Sequence, residues 1–257
     1  MRTSLIFAMV VTSAFNLAAT PVQPAATWTE AGRFQVNIPI TGEPNVSTVQ
    51  GVLSKPQGNG PFAAIVMFPG ISGFAVHLAN LTRHADHYNG MGIIALALDP
   101  AGSRGYRPGS SPPAAALRRD AYAALSYLRG TALVDQQKIF VEGISRGGGI
   151  VLAALDSNQN NDQQQRFAGG IAYVPWCYPT LTPYAPLIIF SGGNDWISAA
   201  KACEQLRGRS NLEVMVFPNA AHEFASSDGD DARIAQRQVD AFITRIIGGN
   251  APTASSR

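Results

Sequence analysis

Two cysteines, four histidines and a charged fraction of only 14% are what this chain has least of. Two cysteines make no CxxC pair and no thiolate set for a structural zinc. His77, His84 and His87 lie close together, but no acid or thiol is spaced to complete a metal site with them, so neither metal nor cofactor is expected. The 19 Lys and Arg against 17 Asp and Glu leave a formal charge of +2, with the basic residues scattered rather than gathered in a stripe. Nucleic-acid binding is therefore not expected. Internal repeats, low-complexity blocks and an interdomain linker are also missing, so nothing divides the chain. What is abundant is apolar side chain: 46% of 257 residues is enough for one large core and too much for a disordered polymer.

The longest apolar run, Leu5 to Ala19, stands at the start behind a single Arg2 and is followed by small residues and Pro21 and Pro24. That pattern predicts a secretory signal peptide over residues 1–26, with cleavage between Ala19 and Thr27. As a membrane anchor it is short of the roughly 20 residues a span wants, and Thr12, Ser13 and Asn16 interrupt it. The expectation is an exported (periplasmic or secreted) protein with no stable membrane insertion once the signal is cleaved. Residues 27–250 then form the folded domain, and 251–257 (APTASSR) a frayed tail. In an oxidising compartment an even cysteine count suggests that Cys177 and Cys203 pair, two buried free thiols being the alternative.

Past the leader, Phe34, Val36, Ile38 and Ile40 alternate as in a half-buried strand, and 46–53 is a second such run. Residues 63–68 and 92–98 are near-continuous apolar runs, the mark of strands buried on both faces of a parallel sheet. From there the pattern predicts helix 77–89, helix 113–129, strand 138–144 and helix 146–156. Strands 169–175 and 186–192 follow, then helix 199–207, strand 212–217 and helix 231–247. Two antiparallel opening strands followed by β–α units mean an α/β fold with a mostly parallel central sheet and helices on both faces. Sites in such sheets lie in the loops beyond the carboxyl ends of the strands.

One of those loops holds Gly143-Ile144-Ser145-Arg146-Gly147, between the buried strand 138–144 and a Gly-rich helix start. A sharp strand–turn–helix elbow needs small residues two positions either side of its serine, and it projects the hydroxyl towards free N–H groups at the helix N-terminus. Gly148 and Gly149 would let that helix pack closely. A serine is a poor nucleophile without a base, and the base needs an orienting carboxylate. The only histidine after Ser145 is His222, in the loop following strand 212–217. Asp195, beyond strand 186–192, supplies the carboxylate in the order Ser, Asp, His. Asp99 is the rival acid, although it precedes the serine and an Asp-Pro turn suits it better. The oxyanion donors expected are the backbone N–H groups of Arg146 and of Ile71, with Gly70 the near alternative to Ile71.

These residues carry a resemblance. FPGISG at 68–73, GIIALALDPAGSRG at 92–105, GISRGGG at 143–149, GGNDW at 192–196 and AAHEF at 220–224 resemble the dienelactone hydrolase-like family of α/β-hydrolases, from about Val52 to Ile247. The resemblance implies an α/β-hydrolase fold without a cap domain, with nucleophile, acid and base on Ser145, Asp195 and His222. It also implies a disulfide between Cys177 and Cys203, as in exported members. The namesake enzymes use a cysteine nucleophile, so cysteine attack on an activated lactone does not carry over to Ser145.

The chemistry expected is hydrolysis of a small-molecule carboxylic ester through an acyl-enzyme, faster as rising pH deprotonates His222. A serine peptidase or an acyltransferase would use the same three residues, and a non-catalytic binding protein of this fold would normally lack one. About ten residues separate strands 169–175 and 186–192, too few for a helical cap, so the site should be open and shallow. Phe74, Trp176, Tyr178 and Trp196 stand where they could line it, and Arg104 or Arg107 could meet a substrate carboxylate. Ordinary loop packing or solvation accounts for these side chains equally well. The sequence is silent on oligomeric state.

Overall fold

The computed structural model describes residues 30–160 and 162–249. The expected signal peptide and the frayed tail lie outside them. Eight strands form one sheet in the order β1-β2-β4-β3-β5-β6-β7-β8. They are β1 (Gly32–Pro39), β2 (Thr48–Lys55), β3 (Phe62–Phe68), β4 (Ile93–Asp99), β5 (Val134–Ile144), β6 (Gly169–Tyr173), β7 (Leu187–Gly192) and β8 (Leu212–Phe217). β1 and β2 are antiparallel, as are β2 and β4; every other neighbouring pair runs parallel.

The burial pattern explains the difference. In β1, Val36 and Ile38 face the core while their neighbours face solvent, as a one-sided edge strand requires. β3, β4 and β5 are buried on both faces and carry helices on each. On one face, α2 (Ala114–Arg129) and α3 (Arg146–Leu155) bury Leu117, Leu125, Val151 and Leu155 against the sheet. On the other, α1 (Phe74–Gly90) and α5 (Asp230–Ile247) bury Leu81, Tyr88, Val239 and Phe242. Each such side chain contributes roughly 1.5–3 kcal/mol, so both layers are needed to hold the sheet. Among the described residues no helix is inserted between β6 and β7, and no cap covers the carboxyl edge of the sheet.

Several predicted boundaries move, β2 among them, found at Thr48–Lys55 rather than 46–53. α1 starts at Phe74 rather than 77, behind a left-handed Gly73 (φ 88°) with no polar cap to announce it. β5 begins at Val134, which pairs with Phe62 across a register shift. β6 stops at Tyr173, because Val174 takes a positive φ of 45° and leaves the ladder. The helix predicted over 199–207 is only the short α4 (Ala200–Glu204), and no side chain caps it. Among the described residues no helix is long and apolar enough to cross a membrane.

Candidate active site

Ser145 sits between the last residue of β5 and the first of α3, with φ 55° and ψ −113°. A β-carbon residue is rarely found there, and the geometry holds because the surrounding backbone leaves no alternative. A Cβ on Gly143 would lie 2.3 Å from the carbonyl carbon of Gly147, and one on Gly147 would lie 2.5 Å from the Phe68 carbonyl oxygen. Gly148 is as confined, 2.8 Å from the Tyr173 carbonyl; Gly149 meets nothing within 4 Å, so close packing does not explain it. The Ser145 N–H donates to the Tyr173 carbonyl at 2.8 Å, tying the turn to β6.

Three chain-distant side chains converge above this turn. His222 opens a short 3-10 turn (His222–Ser226) after β8, and its Nε2 is 2.9 Å from the Ser145 Oγ. Its Nδ1 is 2.7 Å from Oδ2 of Asp195, which lies in the turn after β7. A carboxylate only accepts, so Nδ1 carries the proton, Nε2 is left as an acceptor, and the Ser145 hydroxyl donates to it. Asp195 also receives the Ile197 N–H at 2.8 Å, the Ser198 N–H at 3.0 Å and the Ser198 hydroxyl. Burial raises the Asp195 carboxyl, but the bonds from Ser198, His222 and Ile197 outweigh it and hold the group below its ordinary value. The bond from Ser198 to Asp195 was not expected from the sequence. Its signal was the spacing, a hydroxyl three residues after an aspartate, where side chain and backbone both fold back onto the carboxylate.

The Arg146 N–H is at the first position of α3, where no intrahelical acceptor exists, and the Ile71 N–H has no backbone acceptor either. Ile71 lies just after β3, in the loop that leads to α1, and it is exposed. Gly70 beside it is pinned: a Cβ there would be 2.7 Å from Nε2 of His77.

The aromatics divide. Trp176 and Trp196 are 69% and 88% exposed, one in the loop after β6 and one next to Asp195. Phe74 is half-buried and packs on the α1/α5 core. Tyr178 belongs to the other core layer, and its hydroxyl donates to Asp156 at 3.0 Å, so it is not a pocket wall. Arg107 is exposed. Arg104 is neither solvated nor free for a substrate. Its buried guanidinium binds Glu43 through two bonds of 2.7 Å and Asp120 through two of 2.8 Å. Asp99, the rival acid, accepts the Gly102 N–H at 2.9 Å in its own turn.

Cys177 and Cys203 form a disulfide, joining the loop beside Trp176 to α4. His84 and His87 each pair with a separate carboxylate, Glu142 and Asp240, both at 2.8 Å. Among the described residues no three His, Cys, Asp or Glu side chains gather to hold a metal ion.

Comparison with known proteins follows the same lines. A family model described as the prolyl oligopeptidase family matches residues 81–199, a span that holds Ser145 and Asp195 but not His222. No curated protein matches the chain by sequence. Among solved structures, a protein assigned as a dienelactone hydrolase from Klebsiella pneumoniae subsp. pneumoniae superposes with a TM-score of 0.68 at 18% identity, covering 83% of this chain and 98% of that one. Thermogutta terrifontis esterase 2 in its apo form gives 0.62 at 22% identity, over 86% of this chain and 97% of the esterase. The same esterase phosphoramylated by tabun gives 0.61 at 22% identity, over 85% and 97%. Sheet order, layering and these superpositions agree: the chain has the α/β-hydrolase fold, without a cap domain, and dienelactone hydrolase and esterase structures are among its neighbours.

Proposed function

We propose that the protein is a serine hydrolase that cleaves carboxylic esters through an acyl-enzyme. The observation that carries this reading is the continuous hydrogen-bond path from the Ser145 hydroxyl through His222 to Asp195, with 2.9 and 2.7 Å steps. His222 Nε2 takes the proton as the Ser145 Oγ attacks the ester carbonyl carbon. The carbonyl oxygen becomes an oxyanion held by the N–H groups of Arg146 and Ile71. Collapse expels the alcohol, which leaves with the proton from Nε2. Water then gives a proton to the same nitrogen and attacks the acyl carbon; collapse breaks the bond to Ser145 Oγ, which takes that proton back from Nε2 as the acid is released. Throughout, Asp195 holds the imidazole in the tautomer with Nδ1–H and supports its positive charge. Neither a metal nor a cofactor takes part in this scheme.

Small-molecule esters with an accessible carbonyl suit an uncapped site, with Trp176, Trp196 and Phe74 as side chains for the substrate's apolar parts. The dienelactone hydrolase and esterase neighbours favour an ester. The prolyl oligopeptidase match favours a second reading, cleavage of an amide by the same three residues. Export is the proposed setting, because a disulfide persists in an oxidising compartment.

A fluorophosphonate probe tests the nucleophile: it should label the wild-type protein and not Ser145→Ala. Matched ester and anilide substrates then separate the two readings. Turnover of anilides equal to that of esters would displace the esterase reading.

A further inference from the structure

The two residues proposed above as oxyanion donors follow adjacent parallel strands, Ile71 after β3 and Arg146 after β5 at the start of α3. A single short segment holds both. The Gly109 N–H donates to the Ile71 carbonyl at 3.1 Å. Two residues on, the Arg146 guanidinium donates through Nε to the Ser111 hydroxyl at 3.2 Å and through Nη2 to the Pro112 carbonyl at 3.0 Å. Gly109 has a left-handed φ of 83°, a conformation that favours glycine, and it turns its N–H to Ile71. Pro112 is buried, and α2 begins two residues later. Five residues before Gly109, Arg104 is held on Glu43 and Asp120. Gly70, Ile71, Ser110, Pro112, Arg146 and Gly147 line one small, partly open pocket of about 20 Å³. The segment is thus packed between the two donors rather than hanging over the site.

We infer that residues 109–112 form a strap that sets the spacing of the oxyanion hole, and that the Arg146 side chain is a positioning residue which latches it. The inference rests on the proposed ester chemistry. It assigns Arg146 two separable parts: the backbone N–H faces the developing oxyanion, and the guanidinium keeps that N–H and the one of Ile71 at a fixed separation. Because the strap acts through the two N–H groups that meet the developing oxyanion, its loss should appear in the chemical step.

The test compares an ester with its thionoester on wild-type protein, Arg146→Met and Arg146→Lys. Sulfur is a weak hydrogen-bond acceptor and its bond to carbon is longer, so a thionoester draws little on an oxyanion hole. For Arg146→Met, kcat on the ester should fall roughly tenfold with KM within about twofold, less than the 10²–10³ of an outright lost donor. The thionoester rate should fall much less, and Arg146→Lys should recover part of the ester rate. Equal losses on both substrates, or no loss on either, would overturn the strap while Ser145 still labels. Should Arg146→Met fail to fold, Ser111→Ala removes one latch acceptor and is read by the same rate ratio. A wild-type protein that neither labels nor turns over any ester overturns both the strap and the reading it rests on.

Discussion

Gly143 and Gly147 meet backbone to backbone beneath Ser145, so close that a Cβ on the first would stand 2.3 Å from the carbonyl carbon of the second. Neither neighbour is the end of a flexible side chain that might swing away. The turn that lifts the Ser145 hydroxyl therefore exists only while both positions lack a side chain.

Replacing Gly143 by alanine should force β5 and α3 apart. A loss on the order of 3 kcal/mol follows from overpacking of this kind, and for a domain of this size that lowers the melting temperature by roughly 6–12 °C. Gly149→Ala, where a Cβ meets nothing within 4 Å, should leave the melting temperature within about 2 °C. Thermal unfolding of the pair separates the steric argument from a general need for glycine.

Asp195 ties stability to pH with a definite sign. Its carboxyl is held below the ordinary value, so the unfolded chain binds the proton more readily than the folded one. The contribution is complete above the unfolded value of about 3.9 and disappears as pH falls through the lower folded value. Asp195→Asn should flatten that acid-side loss in urea titrations. In the same variant kcat should fall by roughly 10³–10⁴, because an amide no longer enforces the Nδ1–H tautomer.

Arg104 is the point where the sequence suggested a substrate contact and the fold gave the side chain another task. The guanidinium holds the Glu43 carboxyl below its ordinary value, while full burial of the Asp120 side chain raises that carboxyl against the same partner. Arg104→Met leaves the buried Asp120 without its cation, while Glu43 keeps only the exposed Arg119, and a cost of about 3–5 kcal/mol is expected. At a temperature where the variant remains folded, KM for an anionic ester should match that of the wild type. A raised KM would return Arg104 to the substrate.

The Cys177–Cys203 bond closes a loop with a sequence separation of 26, and it links the Trp176 loop to the helix behind Asp195. Restricting the unfolded chain over such a loop is worth about 3 kcal/mol. The double variant Cys177→Ser, Cys203→Ser should lose this amount in guanidinium unfolding. Reductant should lower the wild type to the same midpoint and leave the variant unchanged.

Element order was largely legible in the sequence. Strands buried on both faces read as continuous apolar runs and the opening edge strand as an alternation, because burial of apolar surface selects those patterns in the sequence itself. That Ser145, Asp195 and His222 would come together was also legible, since chain order and the ends of strands are one-dimensional properties. So was the need for glycine at 143 and 147, a local demand of one tight turn.

What the sequence could not carry was which further distant groups would meet. Ser198 folding onto Asp195, Tyr178 turning to Asp156, Arg104 closing on Glu43 and Asp120, and one strap joining Ile71 to Arg146 all depend on loops brought together by sheet order. The end of β6 shifted for the same reason, at Val174, whose N–H donates to the Phe190 carbonyl on the next strand. Local pattern determined the elements and nominated the serine, the acid and the base. The tertiary structure alone decided their partners, because hydrogen bonds and ion pairs between distant loops are set by packing, and packing leaves no periodicity to read.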